Sequence, residues 1–180
     1  TQDLLILLVT IPMWINTLLR TYAWMNLLSD NGIVNSLLGL LGINPINMMY
    51  TDFSVMIGMV CDFLPFMIIP IHTSLHKMDR SLLEAAGDLG AHPIQAFWKI
   101  TFKLSIPGVL NGVMMVFLMA ISTFVIPKLL GGGQYVLIGN LIENQFISVG
   151  DWNFGSAISM ILAIIILLFM SAMKKIDRQQ

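Results

Sequence analysis

Four long apolar stretches are the feature of this sequence that most restricts its fold. They cover about residues 4–28, 53–71, 106–130 and 154–173, and the last contains SAISMILAIIILLFMSAM without a single charge. A helix that crosses the hydrocarbon core of a bilayer needs roughly 20 mostly apolar residues. Each stretch is therefore predicted to be a spanning helix, because a helix satisfies its own backbone hydrogen bonds within lipid.

The composition supports an all-α integral membrane protein. Hydrophobic residues make up 57% of the 180 residues and charged residues only 11%, whereas soluble domains average about 25% charged residues. The net charge of −1 argues against a nucleic-acid partner, which would require a basic face. The sequence begins at Thr1 without a signal peptide, and we expect that an N-terminal part of the natural protein precedes it.

The positions of the cations predict the orientation of the spans. One cluster lies between the second and third stretches and another follows the fourth: Lys77, Arg80, Lys99, Lys103, then Lys174, Lys175, Arg178. Lys and Arg concentrate in cytoplasmic loops, and four spans place both clusters on the same side of the membrane. The C-terminus is therefore predicted to be cytoplasmic.

Two segments on the opposite side have helical periodicity but are too short to span. Residues 32–43 predict a short helix on the membrane surface. Residues 135–146, after the turn at Gly131-Gly132-Gly133, predict a helix or a re-entrant element at the outer end of the pathway.

The loop between the second and third spans has the local signals of two short helices. Ser81 followed by Glu84 fits a capping box, in which each side chain pairs with a backbone donor of the first helix. Gly90 suits the end of that helix, and Pro93 suits the first turn of the next. An apolar stripe on such a helix either packs on the chain's own spans or docks into another protein.

The same loop resembles the signature of ABC-importer permeases. Glu84-Ala85-Ala86, Gly90 and Ile100 keep the spacing of the "EAA" motif, although Phe102-Lys103 stands where the motif normally has Leu-Pro. In that family the loop is the coupling helix, seated on the ATPase subunit. The resemblance therefore implies that nine residues couple this chain to the ATPase: Ser81, Leu82, Leu83, Glu84, Ala85, Ala86, Asp88, Leu89 and Gly90.

The resemblance extends over essentially the whole chain and is strongest to the B-type permeases of spermidine/putrescine importers. It is carried by TIPMWINTLLRTYAW, FLPFMIIPIHTSLHKMDRSLLEAAGDLGA, LLGGGQYVLIGNLIENQF and DWNFGSAIS. It implies one permease domain over residues 1–180, with a type I ABC-importer helical bundle and a cytoplasmic coupling loop at about 76–105. Family members have six spans, so two N-terminal spans are expected to be absent here.

What the family implies for function is an importer subunit that is not itself an enzyme. The expected partners are cytoplasmic ABC ATPase subunits that bind ATP and magnesium, a second permease subunit, and an extracytoplasmic polyamine-binding protein, in the bacterial inner membrane. This chain is expected to bind no cofactor and no metal. The alternatives are a permease for another small solute, such as a phosphonate, ferric ion or opine, an ion-coupled secondary transporter, or a membrane anchor.

Asp62 is the acidic residue within the second span. Ionisable groups within a membrane span are costly and usually face a pathway or a partner. One interpretation is a substrate pathway in which Asp62 attracts a polyamine ammonium beside the aromatic faces of Trp14, Tyr22 or Trp24. The other is an ion pair with Arg20 on the neighbouring span.

Other polar residues offer weaker candidates. Glu143 and Asp151 are acids on the outer side that could contact a binding protein or the cation it delivers. His72 and His76 have the spacing of two zinc ligands on one helix face, but no acidic third ligand lies at a helpful spacing, so a metal site is not expected.

Overall fold

The computed structural model describes residues 2–79 and 81–177, all of whose regular elements are helices. Arg80 and Arg178, members of the two predicted cytoplasmic clusters, lie outside the described residues. The α-helices, in chain order, are α1 Gln2–Thr10, α2 Thr17–Leu28, α3 Ile33–Leu40, α4 Asp52–His76, α5 Ser81–Asp88, α6 Pro93–Ala96, α7 Phe102–Ser122, α8 Val125–Leu130, α9 Ile138–Asn144 and α10 Trp152–Asp177.

Three helical segments within the described residues are long and apolar enough to cross a membrane. They are Asp52–His76, Pro93–Ser122 and Trp152–Lys175; a bent pair, Leu4–Trp14 and Thr17–Leu40, makes a fourth span only if its two halves are taken as one. In Trp152–Lys175 only 11% of the most apolar window is buried within the chain. These spans therefore present most of their apolar surface outward, as a lipid-facing or partner-facing helix would.

The first predicted span is broken rather than straight. A 3₁₀ turn covers Ile11–Trp14, and the two halves of the pair meet at a bend of 99°. Pro12 removes a backbone donor from the first half. The side chain of Asn16 starts the second half as its N-cap, because its Oδ1 accepts a 2.8 Å hydrogen bond from the amide of Leu18.

The predicted bounds of the third span are wrong at both ends. A continuous helix of 30 residues runs over Pro93–Ser122, with a π-helical turn at Phe97–Thr101, and Pro107 lies inside it rather than at its start. The chain then breaks before α8. The reason lies at Pro127, which has no N–H to continue the helical hydrogen-bond series and is accommodated in the first turn of a new helix.

The short helices predicted within residues 32–43 and 135–146 are confirmed as α3 and α9, while their position at the membrane stays a prediction. The other two spans are longer than predicted, since α4 continues to His76 and α10 begins at Trp152. In the loop between α4 and α7, the first short helix is confirmed as α5. The second is not a separate helix, because the chain from Pro93 runs directly into the third span.

The chain divides into two compact units. The first contains the chain up to Pro65 and Leu118–Ile166, and the second contains Phe66–Phe117 and the chain from Leu167 onward.

In the first unit the helix α8 is the best-buried element. Ile126 and Leu130 are 1% and 0% exposed, and Gly58 of α4 lies directly against both side chains. The carbonyl of Leu130 accepts hydrogen bonds from the hydroxyl of Ser54 and from the amide of Tyr50, both at 3.0 Å. Side-chain packing and backbone hydrogen bonds thus fix α8 against the start of α4.

In the second unit two glycines of α7 allow close packing against α4. A Cβ on Gly108 would lie 2.7 Å from the carbonyl oxygen of Pro70 and 2.9 Å from the Cα of Ile71, and Gly112 lies against Met67 in the same way. The Ser74 hydroxyl adds a 3.0 Å hydrogen bond to the carbonyl of Leu104. Small residues four apart are a known device for close helix contact in membranes.

Replacing Gly108 by Ala tests this contact. The new methyl meets backbone atoms that cannot rotate away, so we expect a loss of roughly 1–3 kcal/mol of stability and a lower Tm of the purified protein in detergent. Gly39→Ala is the matched control, because nothing lies within 4 Å of a Cβ there and a helical Ala should be neutral or stabilising. Equal Tm values for the two variants would contradict the packing assignment.

Candidate functional site

The intramembrane carboxylate of Asp62 forms an ion pair with Arg20. The Nη2 of Arg20, on α2, lies 2.7 Å from the Oδ1 of Asp62, on α4, and the two side chains are only 15% and 10% exposed. The same Nη2 reaches the hydroxyl of Thr17 at 3.4 Å. Of the two interpretations of Asp62, the ion pair is therefore present in the structure.

The other guanidinium nitrogens make this pair unusual. Nε and Nη1 of Arg20 are buried and have no hydrogen-bond partner within the described residues. Only one of the three nitrogens thus contacts the carboxylate, and the pair is not the bidentate arrangement that Arg and carboxylates favour. A single point of contact is geometry that a lysine ammonium can reproduce.

The aromatic residues proposed beside Asp62 have different environments. Trp14 is 91% exposed in the 3₁₀ turn after α1, Tyr22 is half exposed on α2, and Trp24 is partly buried. Their role in a pathway, like that of Asp62, stays a prediction.

Substitutions at the pair separate its structural role from a transport role. Asp62→Asn leaves the buried guanidinium unpaired, and breaking a buried pair from one side typically costs about 3–5 kcal/mol. We expect low accumulation of this variant in membranes and recovery when Arg20→Gln is combined with it. Arg20→Lys should accumulate normally, because an ammonium can keep the single contact to Asp62 and has three N–H donors rather than five, so fewer are left without a partner. Accumulation is measured by immunoblot and Tm by thermal unfolding.

If Asp62→Asn accumulates like the unmodified protein and loses only transport, the ion pair is not needed for folding. That result would favour the interpretation in which Asp62 lies in the substrate pathway.

The two outer acids of the prediction have separate environments. Glu143 on α9 forms an ion pair with Lys128 on α8. The Glu143 side chain is 12% exposed and the Lys128 side chain is 52% exposed. Asp151 accepts a 3.0 Å hydrogen bond from the amide of Phe154 and so caps the start of α10. Capping of α10 therefore accounts for an acidic residue at position 151.

Glu143 also lines a cavity of about 450 Å³ in the first unit. The cavity lies at the end of α7, is lined by residues of α9 and α10, and is open rather than enclosed. Its lining residues are Ser122, Phe124, Gly139, Ile142, Glu143, Phe146, Ile147, Ser159, Leu162, Ala163 and Ile166. The sequence singled out Glu143 but offered no sign of the cavity, because its walls come from three separate segments of the chain that meet only in the fold.

The predicted coupling helix is α5, and it ends as its sequence predicts. Gly90 has a φ of +74°, in the left-handed region. Its amide donates to the carbonyl of Gly87, and the amide of Ala91 donates to the carbonyl of Ala86, both at 2.9 Å. These two bonds form a Schellman motif, which glycine permits because it has no Cβ.

The start of α5 differs from the prediction. The amide of Ser81 donates a 3.0 Å hydrogen bond to the carboxylate of Asp79, and not to Glu84 as the capping box required. This hydrogen bond from the Ser81 amide holds the pKa of Asp79 below its ordinary value. An Asp at this position was the missed signal, since it is as good a helix cap as Ser and adds a negative charge at the helix N-terminus.

The surface of α5 carries unpartnered side chains. Leu82 is 46% exposed and Leu89 is 88% exposed, and Ser81, Glu84, Ala85 and Asp88 are exposed as well, whereas Leu83 and Ala86 are partly buried. One side of the apolar stripe therefore packs on the chain, and the other side is exposed.

His72 and His76 stack with their ring centroids 5.7 Å apart on α4. The described residues contain no group of three potential ligands that could hold a metal ion. The two rings form a stacking contact on one face of α4.

Comparison with known proteins identifies relatives of this chain. Residues 2–179 match the family described as binding-protein-dependent transport system inner membrane component. The spermidine/putrescine transport system permease protein PotB of Escherichia coli (strain K12) is 42% identical over 91% of this chain and 60% of its own length. The protein of the same name from Haemophilus influenzae is 39% identical over 99% of this chain and 64% of its own length. The chain thus spans somewhat under two thirds of the length of these curated relatives.

A solved structure has the same fold. It is the crystal structure of a bacterial alginate ABC transporter in complex with an alginate pentasaccharide-bound periplasmic protein. The superposition covers 98% of this chain and 65% of that one, with a TM-score of 0.82 and a sequence identity of 16%. At this identity the likeness concerns the fold alone.

Proposed function

This chain belongs to the family of binding-protein-dependent transport system inner membrane components, and from that membership we propose that it forms the membrane pathway of an ATP-driven polyamine importer. Multiple apolar helices and the family place it as a multi-pass protein of the inner membrane. The observation that carries the choice of spermidine and putrescine is the 42% identity to the Escherichia coli permease over 91% of this chain.

Separate cytoplasmic subunits bind the nucleotide and magnesium and hydrolyse ATP. This chain's contribution is the exposed side of α5. Leu82 and Leu89 present apolar surface there, and Glu84 adds a charge. A short, rigid helix with both ends capped loses little conformational freedom on docking, so it can transmit a rigid-body movement of the ATPase to α4 and to the helix that starts at Pro93.

The remaining partners follow from the same proposal. A second permease subunit covers apolar faces of the spans, and an extracytoplasmic polyamine-binding protein delivers the substrate on the side of α3 and α9. ATP binding by the cytoplasmic subunits then switches the pathway between inward-open and outward-open states, which requires discrete packing arrangements rather than gradual deformation.

Gly90→Val tests the coupling role of α5. A β-branched residue opposes the left-handed φ of +74°, so we expect weaker association with the ATPase, or substrate-stimulated ATP hydrolysis reduced several-fold, with normal insertion in the membrane. Gly42→Val is the matched control, because Gly42 has a φ of +76° and also has open space around it, at the end of α3. It introduces the same backbone strain away from α5.

A Gly90→Val transporter that keeps its ATPase and its coupled activity would contradict the assignment of α5. So would a Gly42→Val transporter with the same loss of coupling, since the effect would then reflect strain in general.

The orientation of the chain is tested by labelling single cysteines. In a Cys61→Ala background, Lys174→Cys should react with a membrane-impermeant maleimide only from the cytoplasmic side, and Gln134→Cys only from outside. Both positions are exposed, so access is decided by the membrane. Reaction of both from one face would place α5 in the wrong compartment for an ATPase.

A further inference from the structure

The cavity of the first unit has the size and chemistry of a ligand subsite. Its volume of about 450 Å³ lies within the range of roughly 300–1,000 Å³ typical of small-molecule sites. Most of its wall is aliphatic, with the rings of Phe124 and Phe146 among the lining residues. Such a wall suits methylene groups, and aromatic faces also attract cations.

The polar groups of the wall accept hydrogen bonds but have none to donate. The hydroxyl of Ser122 already donates to the carbonyl of Leu118 at 2.9 Å, and the hydroxyl of Ser159 donates to the carbonyl of Gly155 at 2.8 Å. Each hydroxyl therefore offers only lone pairs to the cavity, and ionised Glu143 offers only acceptors. No other lining residue carries a side-chain donor, so the wall matches a ligand that donates and is positively charged.

The chain itself places an ammonium group on this carboxylate. Lys128 reaches Glu143 from α8, with its own side chain half exposed while the carboxylate is largely buried. A lysine side chain is a primary amine at the end of four methylene groups, which is chemically one end of a linear aliphatic polyamine. Because the lysine is solvated and flexible, it can leave the carboxylate without leaving a buried cation behind.

We propose that the cavity at Glu143 is a subsite for the primary ammonium end of a linear aliphatic amine, and that Lys128 is a tethered competitor for it. The amine's ammonium replaces that of Lys128 on Glu143, and its methylene chain lies along Ile142, Leu162 and Ile166. The competitor keeps the carboxylate neutralised in the absence of substrate. This inference rests on the proposed function, which supplies the class of substrate.

The two substitutions at the pair have opposite expected effects. In the complete transporter reconstituted in proteoliposomes, Lys128→Met should lower the KM for spermidine uptake several-fold, because a competitor that occupies the site reduces apparent affinity by the free fraction. Glu143→Gln should raise the KM roughly tenfold or more, since it removes the largely buried carboxylate with which the amine's ammonium pairs. The double variant should behave like Glu143→Gln alone.

A purely structural ion pair predicts a different pattern. Both single variants would then accumulate poorly, and the double variant would recover, with the KM unchanged in whatever protein folds. That outcome would overturn the proposal. The gain in affinity expected for Lys128→Met cannot arise from misfolding, so it keeps the proposal testable even where Glu143→Gln is unstable. Asp30→Asn, at an exposed acid, is the control for removal of a negative charge.

A substitution in the cavity wall distinguishes an amine from other occupants of the cavity. Ala163→Leu narrows the cavity and should raise the KM for spermidine without changing accumulation. A change in Tm alone would indicate that a lipid chain or a partner helix fills the space and would overturn the proposal.

Competition by other amines tests the recognition of the ammonium group. Butylamine should compete with spermidine, and choline should not, because its quaternary nitrogen has no N–H to donate. Equal competition by both would exclude recognition by this acceptor wall.

Uptake by the wild-type transporter distinguishes an error in the proposed function from an error in the subsite. If it takes up neither spermidine nor putrescine, the proposed function is wrong. If it takes up either one with a KM that Lys128→Met, Glu143→Gln and Ala163→Leu leave unchanged, only the subsite is wrong.

Discussion

The need to satisfy backbone polar groups within an apolar environment shapes the packing of this chain. Where the helical hydrogen-bond series fails, a side chain takes over: Asn16 caps the second half of the broken first span, and the amide of Asn140 donates to the carbonyl of Phe124 at the break before α8. The carbonyl of Leu130 has two donors at 3.0 Å. The break before α8 is therefore also a point of attachment to α9, because an unsatisfied backbone group in lipid costs several kcal/mol.

This constraint explains which parts of the fold were predictable from the sequence. Runs of apolar residues and the stop at Gly90 are local signals, and the spans and α5 follow from them. The continuity of the helix from Pro93 through Pro107 was not predictable, because proline within a span is tolerated or disruptive depending on what packs around it. The sequence shows that Gly108 and Gly112 are small residues four apart. Only the structure shows that they pack against α4.

The charged residues divide in the same way. Arg20 and Asp62 are 42 positions apart in sequence, yet each is the isolated charge of its apolar span, so pairing was one of the two interpretations that the sequence allowed. Lys128 and Glu143 are closer in sequence but belong to two short helices separated by a glycine turn. Their meeting depends on how α8 and α9 pack, and no periodicity predicts that contact.

The two ion pairs differ in what the surrounding structure allows them to do. Both members of the Arg20–Asp62 pair are buried, and a guanidinium stays charged at any physiological pH, so neither group can leave without stranding the other. In the Lys128–Glu143 pair only the carboxylate is buried, while the lysine reaches it from the surface. Exchange of one ammonium for another leaves the charge balance of the site unchanged. A pair of this second kind is suited to recognition of an incoming cation, and a pair of the first kind is suited to holding α2 and α4 together.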